Sequence, residues 1–284
     1  MAIGFGASAV AGVTSVVLAL SAAAGAAEAP KRVVSVNVCT DQLAMLVAGE
    51  GQLHSVSYLA RDPLASVLSE QAPAYPVNHG LAEEVFLMHP DLVLAGTYTT
   101  RSTVDLLRRL GVRVEEFAPE ASIEDIRVNI LRMGEVLGRQ QRAADLVARF
   151  DKDLAALAAN RPPRRTVALY YANSYTSGAG TLVGAIVAAA GLDNLADRLD
   201  LAGTAKLPLE LLVLAAPDLV ADGADEREAP ALAEENFRHP AYRALLRTAR
   251  RVSIPGPYTI CGAPFTLEAA QRLQAAAIAG GRPE

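Results

Sequence analysis

Two cysteines, four histidines and eight tyrosines are the residues of this 284-residue chain whose types best suit ligand binding or chemistry. Cys39 follows a valine-rich run and Cys261 lies in GPYTICGAP, so each falls where a strand gives way to a helix, one in each half of the chain. Paired cysteines in an oxidising compartment form a disulfide, free thiolates take a soft metal, and buried thiols pack as small apolar groups. All three readings are open for this pair. A nucleophilic or redox role for Cys39 needs a base held beside the thiol, and no motif supplies one.

The histidines show no short metal-binding spacing. His89, in MHPD, and His239, in RHP, stand beside prolines and read as structural, whereas His79, in VNHGL, sits in a loop able to face a ligand. SGAGTLVG (177–184) resembles a phosphate-cradling turn, but the lysine of a P-loop is missing and the glycine spacing is not that of a dinucleotide fingerprint. Tyr58, Tyr98, Tyr170, Tyr171, Tyr175 and Tyr258 all lie in or next to predicted loops between strands and helices. Aromatic walls with a few polar groups suit a large flat chelate, and Arg61 and Arg101 are placed to meet its carboxylates.

The elements that must position these residues alternate strand and helix. Val33, Val34, Val36 and Val38 predict a short buried strand, Thr40 or Asp41 caps the helix after it, and Gly49 with Gly51 ends that helix. LAEEVFLMHPDLVLAG and LPLELLVLAAPDLVADG set a glutamate, Glu83 or Glu210, at the same interval before Pro-Asp-Leu-Val. Each predicts an amphipathic turn of helix, a proline that stops it and a buried strand. DNLADRLDLAGTAKLP reads as an irregular connection. Between the two repeats, Ala143, Leu146, Val147, Phe150, Leu154 and Leu157 recur at three- and four-residue steps, predicting one helix of about six turns and about 30 Å. The expected fold is α/β: two Rossmann-like lobes with mostly parallel sheets, joined by one long linker α-helix. The lobes span 30–138 and 162–284, and the helix 139–161. Such a rod resists bending, so the lobes rock by a few degrees and the cleft exists before its ligand arrives.

A hydrophobic fraction of 51% is ample for two cores, and a net charge of −5 with no basic stripe argues against nucleic acid as a partner. Residues 1–27 form a separate signal. Ser8 to Ala24 is small, apolar and uncharged, and Gly25-Ala26-Ala27 precedes the charged Glu28: the order of a cleaved secretory signal peptide.

From Arg32 onward the chain resembles the periplasmic substrate-binding proteins of ABC importers for cobalamin, haem and ferric siderophores. The likeness rests on RVVSVNVCTDQLAML, LAEEVFLMHPDLVLAG, the long helix, YYANSYTSGAGTLVGAIVAAAGLDNLA, the second PDLV and PYTICGAPFTLEAAQRL, in that order and spacing. It implies a periplasmic monomer rather than an enzyme, with no cofactor of its own, that holds a metal chelate between its lobes. It further implies delivery to a membrane permease and its ATPase. Carried over by position, the ligand contacts are Asn37, Cys39, Thr40, Asp41, Tyr58, Arg61, His79, Tyr98, Asn173, Tyr175, Thr176, Tyr258 and Cys261. Permease docking through one glutamate per lobe falls to Glu226 or Glu228 in the second lobe. The equivalent first-lobe position holds Arg101 or Ser102, a departure from the pattern, and the cysteine pair is another.

Overall fold

The computed structural model describes residues 1–2, 28–222, 233 and 235–280. The signal expected over 1–27, beyond its first two residues, and the docking candidates Glu226 and Glu228 lie outside the described residues. The chain opens with β1 (Val33–Ser35), α1 (Val38–Val47), β2 (Leu53–Ser57), β3 (Val77–Asn78), α2 (Ala82–Leu87), β4 (Leu92–Gly96), α3 (Arg101–Arg109), β5 (Val114–Phe117) and α4 (Ile123–Leu137). These strands form one parallel sheet in the order β3-β2-β1-β4-β5. Then comes the long helix α5 (Gln140–Ala159), 20 residues as the periodicity predicts. After it follow β6 (Thr166–Leu169), β7 (Tyr175–Ser177), α6 (Leu182–Ala189), β8 (Asp193–Asn194), α7 (Leu195–Arg198), β9 (Thr204–Lys206), α8 (Leu209–Ala215) and β10 (Leu219–Asp222). The last elements are α9 (Glu235–Arg238), α10 (Pro240–Leu245), β11 (Arg250–Ser253), α11 (Pro257–Ile260) and α12 (Thr266–Ile278). The second parallel sheet runs β11-β10-β6-β8.

The duplicated Pro-Asp-Leu-Val has a physical reason. Its proline ends the short helix α2 or α8, and its aspartate then reaches sideways to the start of the lobe's first strand. Asp91 accepts a hydrogen bond of 3.0 Å from the Arg32 amide just before β1, and Asp218 accepts one of 2.8 Å from the Thr166 amide that opens β6. In both lobes the motif ties its own strand to its neighbour at the amino-terminal foot of the sheet, where a first strand has an unmatched donor.

Two readings change. Asn37, not Thr40 or Asp41, caps α1: its side-chain oxygen accepts from the amides of Cys39 (3.0 Å) and Thr40 (3.5 Å). The supposed irregular connection contains β8, α7 and β9, and β9 pairs antiparallel with β7 into a small ribbon. The two-residue edge strand β8 and the partly exposed β9 are too short for a periodic pattern to declare itself.

The linker is not a free rod. α4 turns back into α5 through Gly138, which takes the left-handed conformation (φ 66°) that glycine tolerates. Gly134 lets the two helices approach, since a Cβ there would overlap the Ala143 methyl. Ala143, Leu146, Phe150 and Leu157 of α5 are buried in one apolar cluster that also holds Leu92, Ile130 and Met133 of the first lobe and Leu169, Ile186 and Leu273 of the second. Both ends of α5 are pinned. The Gln52 side-chain amide donates to the Leu137 carbonyl (2.7 Å) and accepts from Arg139 (3.0 Å), and the buried Gln274 amide donates to the Leu157 carbonyl (2.9 Å).

Candidate functional site

The carboxyl ends of both sheets carry the loops in which the candidate residues fall, the usual place for ligands in open α/β sheets. What joins the two rims is a covalent bond. Cys39, at the first turn of α1, is disulfide-bonded to Cys261, just past α11, with Cα atoms 5.1 Å apart and a sequence separation of 222. The bond corrects the thiolate readings: neither sulfur is free to ligate a soft metal, and Cys39 has no thiol for nucleophilic chemistry. Beside the bridge, Glu120 extends from the end of β5 and accepts a 2.9 Å hydrogen bond from the Gly262 amide of the other lobe and one from Asn129. Burial in this seam raises the Glu120 carboxyl above the usual range, against the pull of those donors. A Cβ at Gly262 would collide with the Glu120 side chain, so the close seam requires glycine there.

Several expected contacts are committed to the interior. Thr40 is 2% exposed and bonds the Ser35 hydroxyl and the Asn37 carbonyl. Asp41 is fully buried and accepts from the Ser57 amide (3.1 Å) and hydroxyl (2.5 Å), so it braces the turn after β2 instead of meeting a ligand. Desolvation pushes its carboxyl up to about 7. Thr176 and Cys261 are likewise buried, Tyr170 is enclosed with Phe237 and Tyr242, and Tyr258 packs against the Arg272 guanidinium of its own lobe. Burial decides these cases because the first turn of a helix alternates between the cleft and the sheet, and an unaligned sequence does not say which side chain turns inward.

The residues that do stand out form three groups. Tyr58, after β2, is 52% exposed and stacks on His79, after β3, with ring centroids 5.5 Å apart. His79 is held by Glu84 of α2, whose carboxylate meets its backbone amide at 2.8 Å and its Nδ1 at 3.2 Å. Glu84 was not among the sequence candidates, although its position five residues after a loop histidine, in a first helical turn, was the available signal. Nearby, Arg61 donates to the Tyr75 carbonyl. Asn37, Cys39, Thr97, the exposed Tyr98 and Glu120 line a cavity of about 70 Å³ on the other side of the bridge. On the second rim, Lys206 lies 3.9 Å over the ring of Tyr175 and donates to the carbonyl of Asn173, which adopts φ 56°.

The remaining histidines are structural. His54 meets Arg32 at the foot of the first sheet, His89 takes φ 50° past α2, and His239 caps α10 by accepting from the Ala241 amide. The small-residue turn is filled rather than open: Thr181 caps α6, Asp197 accepts from the Ala179 amide, and a Cβ at Gly178 would strike the Leu201 carbonyl. No anion cradle results.

These parallel sheets, with the linker between them, match known proteins. Residues 33–245 match the family model described as periplasmic binding protein. The chain belongs to that family. It is similar to a cobalamin-binding protein of Halobacterium salinarum, 30% identical over 215 residues that cover 72% of this chain and 57% of that protein. The chain thus spans little more than half the length of that curated relative. Among solved structures it shares the fold of the periplasmic heme-binding protein RhuT from Roseiflexus sp. RS-1, with a TM-score of 0.69 and 22% identity over 88% of this chain and 98% of that one. It is also similar to the vitamin B12 binding protein BtuF of Vibrio cholerae, with a TM-score of 0.62 and 17% identity over 87% and 96%. A two-lobed α/β architecture with mostly parallel sheets is therefore the fold of this periplasmic binding protein.

Proposed function

We propose that the chain is the solute-binding component of an ABC importer, which captures a metal chelate between two rims of loops and hands it to a membrane permease with its ATPase. The observation that carries this reading is the pair of strand-end rims, one from each sheet, held to each other by the 5.1 Å Cα–Cα disulfide pair and carrying exposed Tyr58, His79, Tyr98 and Tyr175. Aromatic side chains that stay this exposed at a rim bury little of their area against the protein itself, and flat macrocycles reward them. Membership of the family supports an extracytoplasmic location, reached through a cleaved signal in residues 1–27, and a monomer is the working form. The cargo is a ferric siderophore, a cobalamin or a haem, carried as substrate. The lobes correspond to 30–138 and 162–284, and Glu226 or Glu228 is the second-lobe docking residue.

A thermal-unfolding series with haemin, aquocobalamin and a ferric trihydroxamate tests the reading. Cargo that binds only the folded state stabilises it by RT ln(1 + [L]/Kd), about 2.7 kcal/mol at a hundredfold excess over Kd. A shift with one of the three is expected; none with any would sink it.

A further inference from the structure

Resting on the receptor reading for what the motion serves, we infer that the Cys39–Cys261 bond is an exchangeable clasp between the rims. A dithiol reductant opens it at Cys39 while the chain stays folded, and the opened clasp lets cargo leave faster. Three placements carry this. First, each cysteine is fixed in its own lobe without the bond. The Cys39 amide donates to the Asn37 side chain that caps α1 (3.0 Å), and the Cys261 carbonyl accepts from the buried Thr266 hydroxyl (3.1 Å). The lobes are also joined elsewhere, by the apolar cluster that runs through α5 and by the Gln52 and Gln274 pins at its two ends. Cutting the bond therefore frees the rims from each other without freeing either loop from its sheet.

Second, little else holds the rims where they meet. The segment from Gly256 to Gly262 lies along the first rim: a Cβ at Gly256 would stand 3.6 Å from the Leu64 carbonyl oxygen, Cys261 is bonded to Cys39, and the Gly262 amide donates to Glu120 at 2.9 Å. Reduction leaves the Gly262–Glu120 hydrogen bond and a weak one from the Cys39 thiol to the Ile260 carbonyl, 3.9 Å away. Rims that a covalent bond holds in register meet a ligand with less ordering to do, and rims held by two hydrogen bonds rock.

Third, the two sulfurs differ in access. Cys261 is 1% exposed, whereas Cys39 is partly exposed and borders Ile260, which is 49% exposed. A thiolate of the reductant therefore attacks the Cys39 sulfur, forming a mixed disulfide and breaking the bond to Cys261, whose sulfur leaves with the electron pair and takes up a proton. The reductant's second thiolate then attacks its own sulfur in the mixed disulfide, closes the reductant's disulfide and releases Cys39. Released at the first turn of α1, the Cys39 thiolate is favoured by the positive end of that helix until it too is protonated. The dithiol is oxidised to a disulfide and the bridge is reduced to two thiols.

The test uses the oxidised full chain under native conditions. A thioredoxin-type protein whose second cysteine is replaced by serine should be trapped on Cys39, read by peptide mass. After reduction with dithiothreitol and alkylation, circular dichroism should be unchanged, and the Gly262 amide should exchange its hydrogen at least about tenfold faster, with β1, β10 and α5 unaffected. Haemin, aquocobalamin and a ferric trihydroxamate are the cargo probes, and whichever of them binds should dissociate about tenfold faster from the reduced form. The double variant Cys39→Ser with Cys261→Ser should behave as the reduced form and ignore dithiothreitol. Trapping on Cys261, reduction that needs denaturant, or loss of the fold on reduction overturns the inference, the last by showing the bond to be part of the scaffold. Dissociation unchanged between the two forms overturns it while leaving the receptor reading in place. Binding of none of the three probes removes the receptor reading and with it the gating of cargo, and trapping and exchange still decide whether the clasp opens.

Discussion

The feet of the two sheets and their rims have opposite histories written into them. At the feet the lobes are near copies: Asp91 ties β4 to the entry of β1, and Asp218 ties β10 to the entry of β6, through the same side-chain-to-amide bond. At the rims nothing repeats. The first lobe offers a stacked tyrosine and histidine gripped by a glutamate, and the second offers a two-stranded ribbon with a lysine lying over a tyrosine. A strand that begins without a partner poses the same problem in both lobes and receives the same answer. On the proposed reading a ligand presents different surfaces to its two sides, so the rims are free to diverge where the scaffold is not.

The largest way to break this comparison is to cut the one covalent link between rims. Replacing both cysteines, Cys39→Ser with Cys261→Ser, releases a loop of 222 residues in the unfolded chain, worth about 5 kcal/mol in the chain-entropy model. Urea unfolding without reductant should show most of that loss. A loss under about 1 kcal/mol would mean that the continuous core and the pinned α5 already fix the lobes, with the bridge adding only local closure.

A smaller effect tests whether rim residues turned inward have joined the scaffold. Asp41 is held protonated near neutrality by burial, its carboxyl raised to about 7 against an ordinary 3.8. Between those values the folded state binds a proton that the unfolded state has lost, so the contribution is fully present below about pH 4 and falls away as pH rises through 7. Stability should therefore decline by a few kcal/mol at most from pH 4.5 to pH 8, and Asp41→Asn should flatten that slope. An unaltered slope in the variant would assign the pH dependence to another group.

The feet can be tested for equivalence. Asp91→Ala and Asp218→Ala should each cost about 1–2 kcal/mol, the range for a hydrogen bond with a charged acceptor discounted for partial exposure. The informative quantity is the difference. Losses within about 1 kcal/mol of each other support a shared scaffold device, whereas a much larger loss at Asp218 would show that its pairing with Arg165, which Asp91 lacks in this form, carries the second copy.

Much of this was legible in the sequence where burial produces a pattern. The repeated Pro-Asp-Leu-Val, the three- and four-residue steps of α5 and the valine run of β1 announce themselves because each buries apolar side chains at a fixed period. The rims carry no period. Asn37 outcompetes Thr40 and Asp41 as a cap because its side chain reaches back over the first turn, while those two point into the sheet and bond Ser35 and Ser57. The cysteine pairing stayed open for a similar reason: it depends on how two distant loops meet, and only the seam of Glu120 and Gly262 beside it shows that they do. His79 was legible as a candidate, but the grip of Glu84 was not, since it needs the chain to turn back at Gly80, whose φ is 70°.

The smallest effect sharpens the comparison most cleanly. Lys206 sits 3.9 Å over the Tyr175 ring and donates to the Asn173 carbonyl, so it supports a left-handed residue at the tip of the second rim. If rims are appended to the scaffold and not part of it, Lys206→Met should lower stability by only about 0.5–1 kcal/mol, the worth of an exposed cation–π contact. The disturbance should stay local: amide hydrogen exchange should quicken around Asn173 to Tyr175 and remain unchanged at β6 and β10, whose strands pair through their own ladder. A loss beyond about 3 kcal/mol, or faster exchange spreading into β6, would show the ribbon to be structural, and the contrast between matching feet and divergent rims would then hold for the first lobe alone.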